Sequence, residues 1–185
     1  MTTPVWQVGK WDLDADLAKI DQQWDAVRAV LEDPGLYSVR DARISGWSCG
    51  EHAGHIAMVT HWIAAGIEQN LVDPSRGADG SWSEPTEAIL IEGGFPRGVA
   101  ESPPEVNTLS RPREDFLPIL PAAIEAWRAV AEKADQLPSC PARFPHFALG
   151  YLTSTEWVRF CALHTAHHLA VVRDLRAASE EGSTG

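Results

Sequence analysis

The stretch Thr153-Ser154-Thr155-Glu156-Trp157-Val158-Arg159-Phe160-Cys161-Ala162-Leu163-His164-Thr165-Ala166-His167-His168-Leu169 decides how this chain is read. Thr153 and Glu156 have capping-box spacing, in which a hydroxyl accepts from the third helical amide and a carboxylate reaches back to the cap. Beyond the cap, the apolar positions Trp157, Phe160, Leu163 and Val171 recur at helical spacing. The pattern predicts a helix over 153–178, followed by a polar, frayed tail. Trp157, Cys161, His164 and His168 share one stripe, which the tryptophan anchors inward. His164 and His168 are spaced i, i+4, so both imidazoles lie on one face, one turn apart. Two imidazoles so placed can grip one divalent ion. The plainer alternative is a pair of satisfied core or surface histidines.

A third ligand must come from another element. The only other histidine-rich helix begins at Ser48 and Glu51, a second capping box, and is predicted over 48–70 with Ile56, Val59, Ile63 and Ile67 on its apolar face. It carries His52, His55 and His61. His52 and His55 are spaced i, i+3 and can share a face, whereas His61 points away. Spacing leaves the choice between His52 and His55 open. At the third position of its box Glu51 is committed to the cap, which leaves it poorly free to bind metal. Cys49 and Cys161 read as small apolar fillers; a soft fourth ligand is the alternative for Cys161, one turn before His164.

Two further helices complete the pattern. Leu17, Ile20, Trp24, Val27 and Leu31 mark one over 12–32, stopped by Asp33-Pro34-Gly35. Ile124, Trp127, Val130 and Ala131 mark another over 112–137, in which Pro118 and Pro121 form the first turn or introduce a kink. Between the second and third helices runs a long connection, 71–110, with a helical turn near Glu87 to Ile91. A proline-rich loop spans 138–152. No segment alternates as a strand would. The expectation is an all-α single domain over 1–185, an antiparallel four-helix bundle with a long crossover between helices two and three.

Composition bounds the function. The chain has 185 residues and a formal net charge of −11, from 26 acidic and 15 basic residues. The basic residues never cluster, so no nucleic-acid partner is expected. The acidic balance and the absence of a long uncharged apolar run argue against a membrane partner. Three widely spaced cysteines and an N-terminus without a signal pattern point to a cytoplasmic protein with reduced thiols. Of the eight tryptophans, Trp82 stands apart in a loop, where it could line a cleft or an interface.

These residues resemble the DinB/YfiT-like superfamily. Trp47-Ser48-Cys49-Gly50-Glu51-His52-Ala53-Gly54-His55 is similar to its W-S-x-x-E-x-x-x-H motif, and His164-Thr165-Ala166-His167-His168 to its H-x-x-H-H element. Phe95-Pro96-Arg97-Gly98-Val99-Ala100 and the loop from Pro145 to Thr153 resemble loops of its members, although the second has a changed order at Pro145-His146 and an added residue before Gly150. The resemblance covers roughly residues 10 to 178. It implies a four-helix bundle holding one divalent cation, commonly nickel or zinc, on His55, His164 and His168. His52 and His167 then take places beside the ion rather than on it. The superfamily includes transferases and isomerases that use low-molecular-weight thiols such as mycothiol, and dimers are common in it.

The functional expectation is a metal-dependent enzyme acting on a small-molecule substrate, either a thiol-dependent transferase or a hydrolase. Arg97 is a candidate for gripping a substrate carboxylate, with a solvated loop arginine as the plainer alternative. His146 and His167 are the candidates for proton transfer. The rival expectation is a non-catalytic metal-binding bundle whose ion ties two helices together. An open coordination position separates the two.

Overall fold

The computed structural model describes residues 4–77, 79–97 and 102–182. Four helices carry most of the core: α1 (Leu13–Glu32), α3 (Cys49–Val72), α5 (Ile119–Ala131) and α6 (Ser154–Gly182). Two short helices, α2 (Pro34–Ser38) and α4 (Thr86–Leu90), sit in the connections. A hairpin of β1 (Arg143–His146) and β2 (Gly150–Thr153) precedes α6. No described helix is long and apolar enough to cross a membrane.

Local chemistry sets the helix ends. Asp12 caps α1, accepting from the Ala15 amide at 2.9 Å. Asp33 ends α1 and at once opens α2, accepting from the Gly35 and Leu36 amides. The Pro34 ring fits the first position of that new helix because no amide is needed there. Both expected capping boxes form, Ser48 with Glu51 and Thr153 with Glu156. The last helix continues past the expected 178 to Gly182.

α3 packs against α1, α5 and α6, and α1 also packs against α6. The shared core includes Ile20, Trp24, Ile56, Ile63, Trp127, Trp157, Phe160 and Val172. One ion pair is buried within it: Arg159 on α6 donates to Asp16 on α1 at 3.0 Å, with both side chains 1% exposed. Arg159 also donates to the carbonyls of Leu90 and Gly9, so one guanidinium holds α4 and the N-terminal segment against α6. Charges this deep are tolerated only when paired and hydrogen-bonded.

Two expectations need correction. The helix expected over 112–137 is confined to Ile119–Ala131. Before it lies a 3-10 turn at Arg113–Asp115, and after it the chain tightens into i to i−3 turns through Leu137. Pro121 falls in the first helical turn, where a missing amide costs nothing. The expectation of a purely helical chain also fails over 138–152. Phe144 pairs with Leu152 and Pro145 with Tyr151 in the hairpin, whose turn closes on Gly150 at φ 78°. Trp82 in the crossover bridges to Gly150, and the Ser83 amide donates to the Leu149 carbonyl at 2.9 Å. The tryptophan thus packs the crossover onto the hairpin and lies partly buried against the core.

Candidate metal centre

The centre is built at the start of α3. Glu51 accepts from the Ser48 amide at 2.6 Å, from the Ser110 amide at 2.6 Å and from Arg40 at 2.8 Å. Its own carbonyl accepts from the Thr108 hydroxyl at 2.8 Å. Ser110 adopts φ 62°, a left-handed conformation that serine rarely takes, and the Glu51 carboxylate holds its amide there. The segment from Val106 to Ser110 is thereby strapped across the first turns of α3. This strap presents the Val106 carbonyl to His55, whose Nδ1 donates to it at 2.8 Å. With its proton fixed on Nδ1, His55 offers a lone pair at Nε2.

That lone pair points at α6. His164 Nε2 lies 3.1 Å from His55 Nε2 and 3.1 Å from His168 Nε2. One ligand atom from each of the three histidines falls within 4.8 Å of the others, two of the residues being buried and His168 half-buried. An ion about 2.0–2.1 Å from two imidazole nitrogens separates them by about 3.3 Å in tetrahedral geometry and about 2.9 Å in octahedral geometry. The observed edges lie between those values. His164 Nδ1 is buried without a hydrogen-bond partner. Its orientation is therefore not set by a bond on its far side, only by what its Nε2 faces and by the rings that clamp it. His55, His164 and His168 could together hold one metal ion.

Burial keeps these rings neutral, the form that binds metal. It pushes His55 down to about 4 and His52 down to about 3. His164 and His168 are held well below the ordinary value, first by burial and then by the neighbouring histidines. No carboxylate joins the set, so a divalent ion there would keep its full charge. Glu51 is used up by its three donors. Cys161 is also turned away: it faces the Thr60 hydroxyl at 3.5 Å, and burial pushes its thiol up to about 12. His61 is exposed on the outer side of α3.

Aromatic rings wall the centre. Trp47 stacks over His168 at a centroid distance of 6.1 Å and meets His55 at 5.0 Å. Phe160 stacks on His164 at 5.2 Å, and Phe95 lies 5.6 Å from Phe160 and from His167.

The remaining predicted site residues divide. His167 sits beside His168 at a ring separation of 5.2 Å, half-buried, with no hydrogen bond among the described residues. Arg97 is on the rim but already paired, donating to Asp174 at 2.8 Å. Its loop neighbours Gly98, Val99 and Ala100 lie outside the described residues. His146 is not brought into the cluster. Its Nδ1 accepts from the Ala148 and Leu149 amides in the hairpin turn, and Phe160 stands between it and His164. The strap carbonyl of Val106 and Ser45 beneath His52 carry no sequence signal of their own; Trp47 and Phe95 could be found only through the motifs that contain them, and Phe160 only as one apolar position of the last helix.

No protein-family model, curated protein or solved structure matches this chain.

Proposed function

We propose that this chain is a metal-dependent enzyme of the DinB/YfiT-like kind, an antiparallel four-helix bundle in which His55, His164 and His168 hold one nickel or zinc ion. The reaction is a hydrolysis or the transfer of a low-molecular-weight thiol such as mycothiol, on a small anionic molecule. One observation carries the reading. Three Nε2 atoms converge from two helices while Glu51 and Cys161, the residues that could close the shell, are engaged elsewhere. His55, His164 and His168 would hold such an ion with positions left open, where it would supply Lewis acidity that lowers the pKa of a water or a thiol.

The chain's own groups supply the rest. The strap and Glu51 fix His55 in its ligating tautomer. Trp47, Phe95 and Phe160 keep water from the flanks of the centre. Arg97 offers a guanidinium at the rim, and a substrate carboxylate can exchange with Asp174 for it. His167, with an uncommitted imidazole beside His168, is placed to take or return a proton at the open side. His146 is poorly placed for that task, because its Nδ1 holds the hairpin turn.

The test is elemental analysis of untagged protein beside His164→Ala and His168→Ala. About one nickel or zinc per chain, lost in both variants, is expected. Thiol-conjugation and ester-hydrolysis assays on the loaded protein then separate the two reactions, and Arg97→Ala should raise KM for carboxylate substrates without lowering metal content. No bound metal after incubation with excess ions overturns the proposal. Metal without turnover in either assay leaves an ion that only ties α3 to α6.

A further inference from the structure

His52 is buried beside the centre yet faces away from the converging nitrogens. Its Nδ1 lies 2.8 Å from His168 Nδ1, and its Nε2 lies 2.9 Å from Ser45 Oγ. Ser45 Oγ in turn accepts from the Trp47 amide at 3.1 Å. The residue is 5% exposed, and these two contacts use both of its ring nitrogens.

Proton placement along this row is constrained. For His168 to present a lone pair at Nε2, its proton must sit on Nδ1. The atom facing that proton is His52 Nδ1, which must then be the acceptor. The His52 proton is left on Nε2, where Ser45 Oγ accepts it. One assignment satisfies the whole row and makes His168 a ligand. The opposite assignment starts with Ser45 donating to His52 Nε2. It ends with a proton on His168 Nε2, aimed at His164, and it excludes an ion. His55 has no such freedom, because a carbonyl can only accept. The two outer ligands are thus held by different devices: His55 by a fixed acceptor, His168 by one that can reverse.

We propose that His52 is a positioning residue that holds His168 in its ligating tautomer, with Ser45 as the terminal acceptor, and that the Ser45–His52–His168 row reverses when the metal leaves. No net proton is gained or lost along the row. The inference rests on the metal-binding reading above. Partners of this kind set ligand orientation and basicity, and losing one weakens metal binding by about 10–100-fold.

The experiment compares zinc affinity, by chelator competition, for the full chain and for His52→Leu, His52→Asn and Ser45→Ala. His52→Leu removes the acceptor and should weaken zinc binding by about 10–100-fold. His52→Asn places an amide oxygen near the former Nδ1 position and should restore most of that loss. Ser45→Ala should show a smaller loss. Imidazole nitrogen shifts of His168 give a second readout. In the zinc forms of the parent and His52→Asn, the proton resides on Nδ1; in metal-free parent it redistributes. Parent-like zinc affinity in His52→Leu overturns the inference, as does an Asn variant as weak as the Leu variant, which would mean that His52 only fills space. If His52→Leu does not fold, the Asn and Ser45→Ala variants decide the matter alone. A parent chain that binds no zinc sinks the metal reading itself, an outcome distinct from zinc binding that ignores His52.

Discussion

Replacing His164 with leucine separates a metal ligand from a structural histidine. His164 is the middle member, 3.1 Å from each of the other two Nε2 atoms, so its loss removes one ligand and both close edges. In the metal-free protein two effects oppose each other. The substitution eliminates the orphaned Nδ1, and relieving a buried unsatisfied polar atom is worth about 1–3 kcal/mol. It also strips the partner from the buried His55 Nε2, which costs a similar amount, and from His168 Nε2, which is half-buried and costs less because water can reach it. Leucine refills most of the ring's volume among Phe160, Phe95 and their neighbours, so little cavity is added. The metal-free variant should therefore lie within about 1–2 kcal/mol of the parent. With metal the two diverge. At a free ion concentration of about 100 times Kd the parent gains about 2.7 kcal/mol. In a chain of this size that is a rise in Tm of about 5–10 °C. The variant should not move. The assay is thermal unfolding in chelator and in stepped zinc or nickel. A metal-free loss above about 3 kcal/mol, together with no metal-dependent rise in the parent, would refute the reasoning and make the cluster a structural hydrogen-bond network.

Acid should destabilise the chelated protein. His52 is pushed down to about 3, and His55 and His146 to about 4, mainly by burial. Between about 4 and 6.5 the unfolded chain thus binds more protons at these sites, and stability falls as pH falls. Each contributes a slope of about 1.4 kcal/mol per pH unit. Asp16, raised to about 6 by burial, acts with the opposite sign below that pH, which leaves a net of about 3 kcal/mol per unit from these four groups. Urea unfolding between about pH 5 and 6 checks this, and a flat profile contradicts it. Glu51→Ala should cost about 2–4 kcal/mol in urea unfolding, because it leaves the Ser48 and Ser110 amides unpaired. It should also weaken metal binding by releasing the strap from His55; unchanged metal affinity would separate the strap from the centre. Gly150→Ala should lower stability by about 1–3 kcal/mol, since a side chain at φ 78° is strained and its Cβ would strike the Ser81 and Ser83 backbone. A melting temperature equal to the parent's would show that the turn can relax.

Much of this arrangement was legible in the chain, and for identifiable reasons. Capping boxes at Ser48 and Thr153 announce themselves because a hydroxyl and a carboxylate three residues apart have one good use. The stripe through Trp157, Cys161 and His164 is legible because helical spacing is local. The shortening of the third helix was not: Pro118 and Pro121 fit either of two starts, and nothing nearby distinguishes an α turn from the tighter turns after Ala131. The hairpin was hidden for a different reason. Its strands have four residues each, include Pro145, and are fixed by pairing with one another and with Trp82. Such pairing is non-local, and short strands carry little intrinsic signal.

By itself, then, the sequence determined the presence of the four long helices though not the bounds of the third, the shared face of His164 and His168, and the engagement of Glu51 in a cap. All follow from relations within a few residues. Spacing leaves His52 and His55, one turn apart, equally eligible to meet that face; the resemblance implied His55, and the tertiary structure brings His55 there. The packing of α3 on α6 directs His55 Nε2 at His164 and leaves His52 against the back of His168. The Val106 carbonyl that locks His55 and the Ser45 hydroxyl beneath His52 come from chain segments whose local sequence has no reason to adopt those positions. Their roles exist only because long-range burial brings polar atoms together and each must then find a partner.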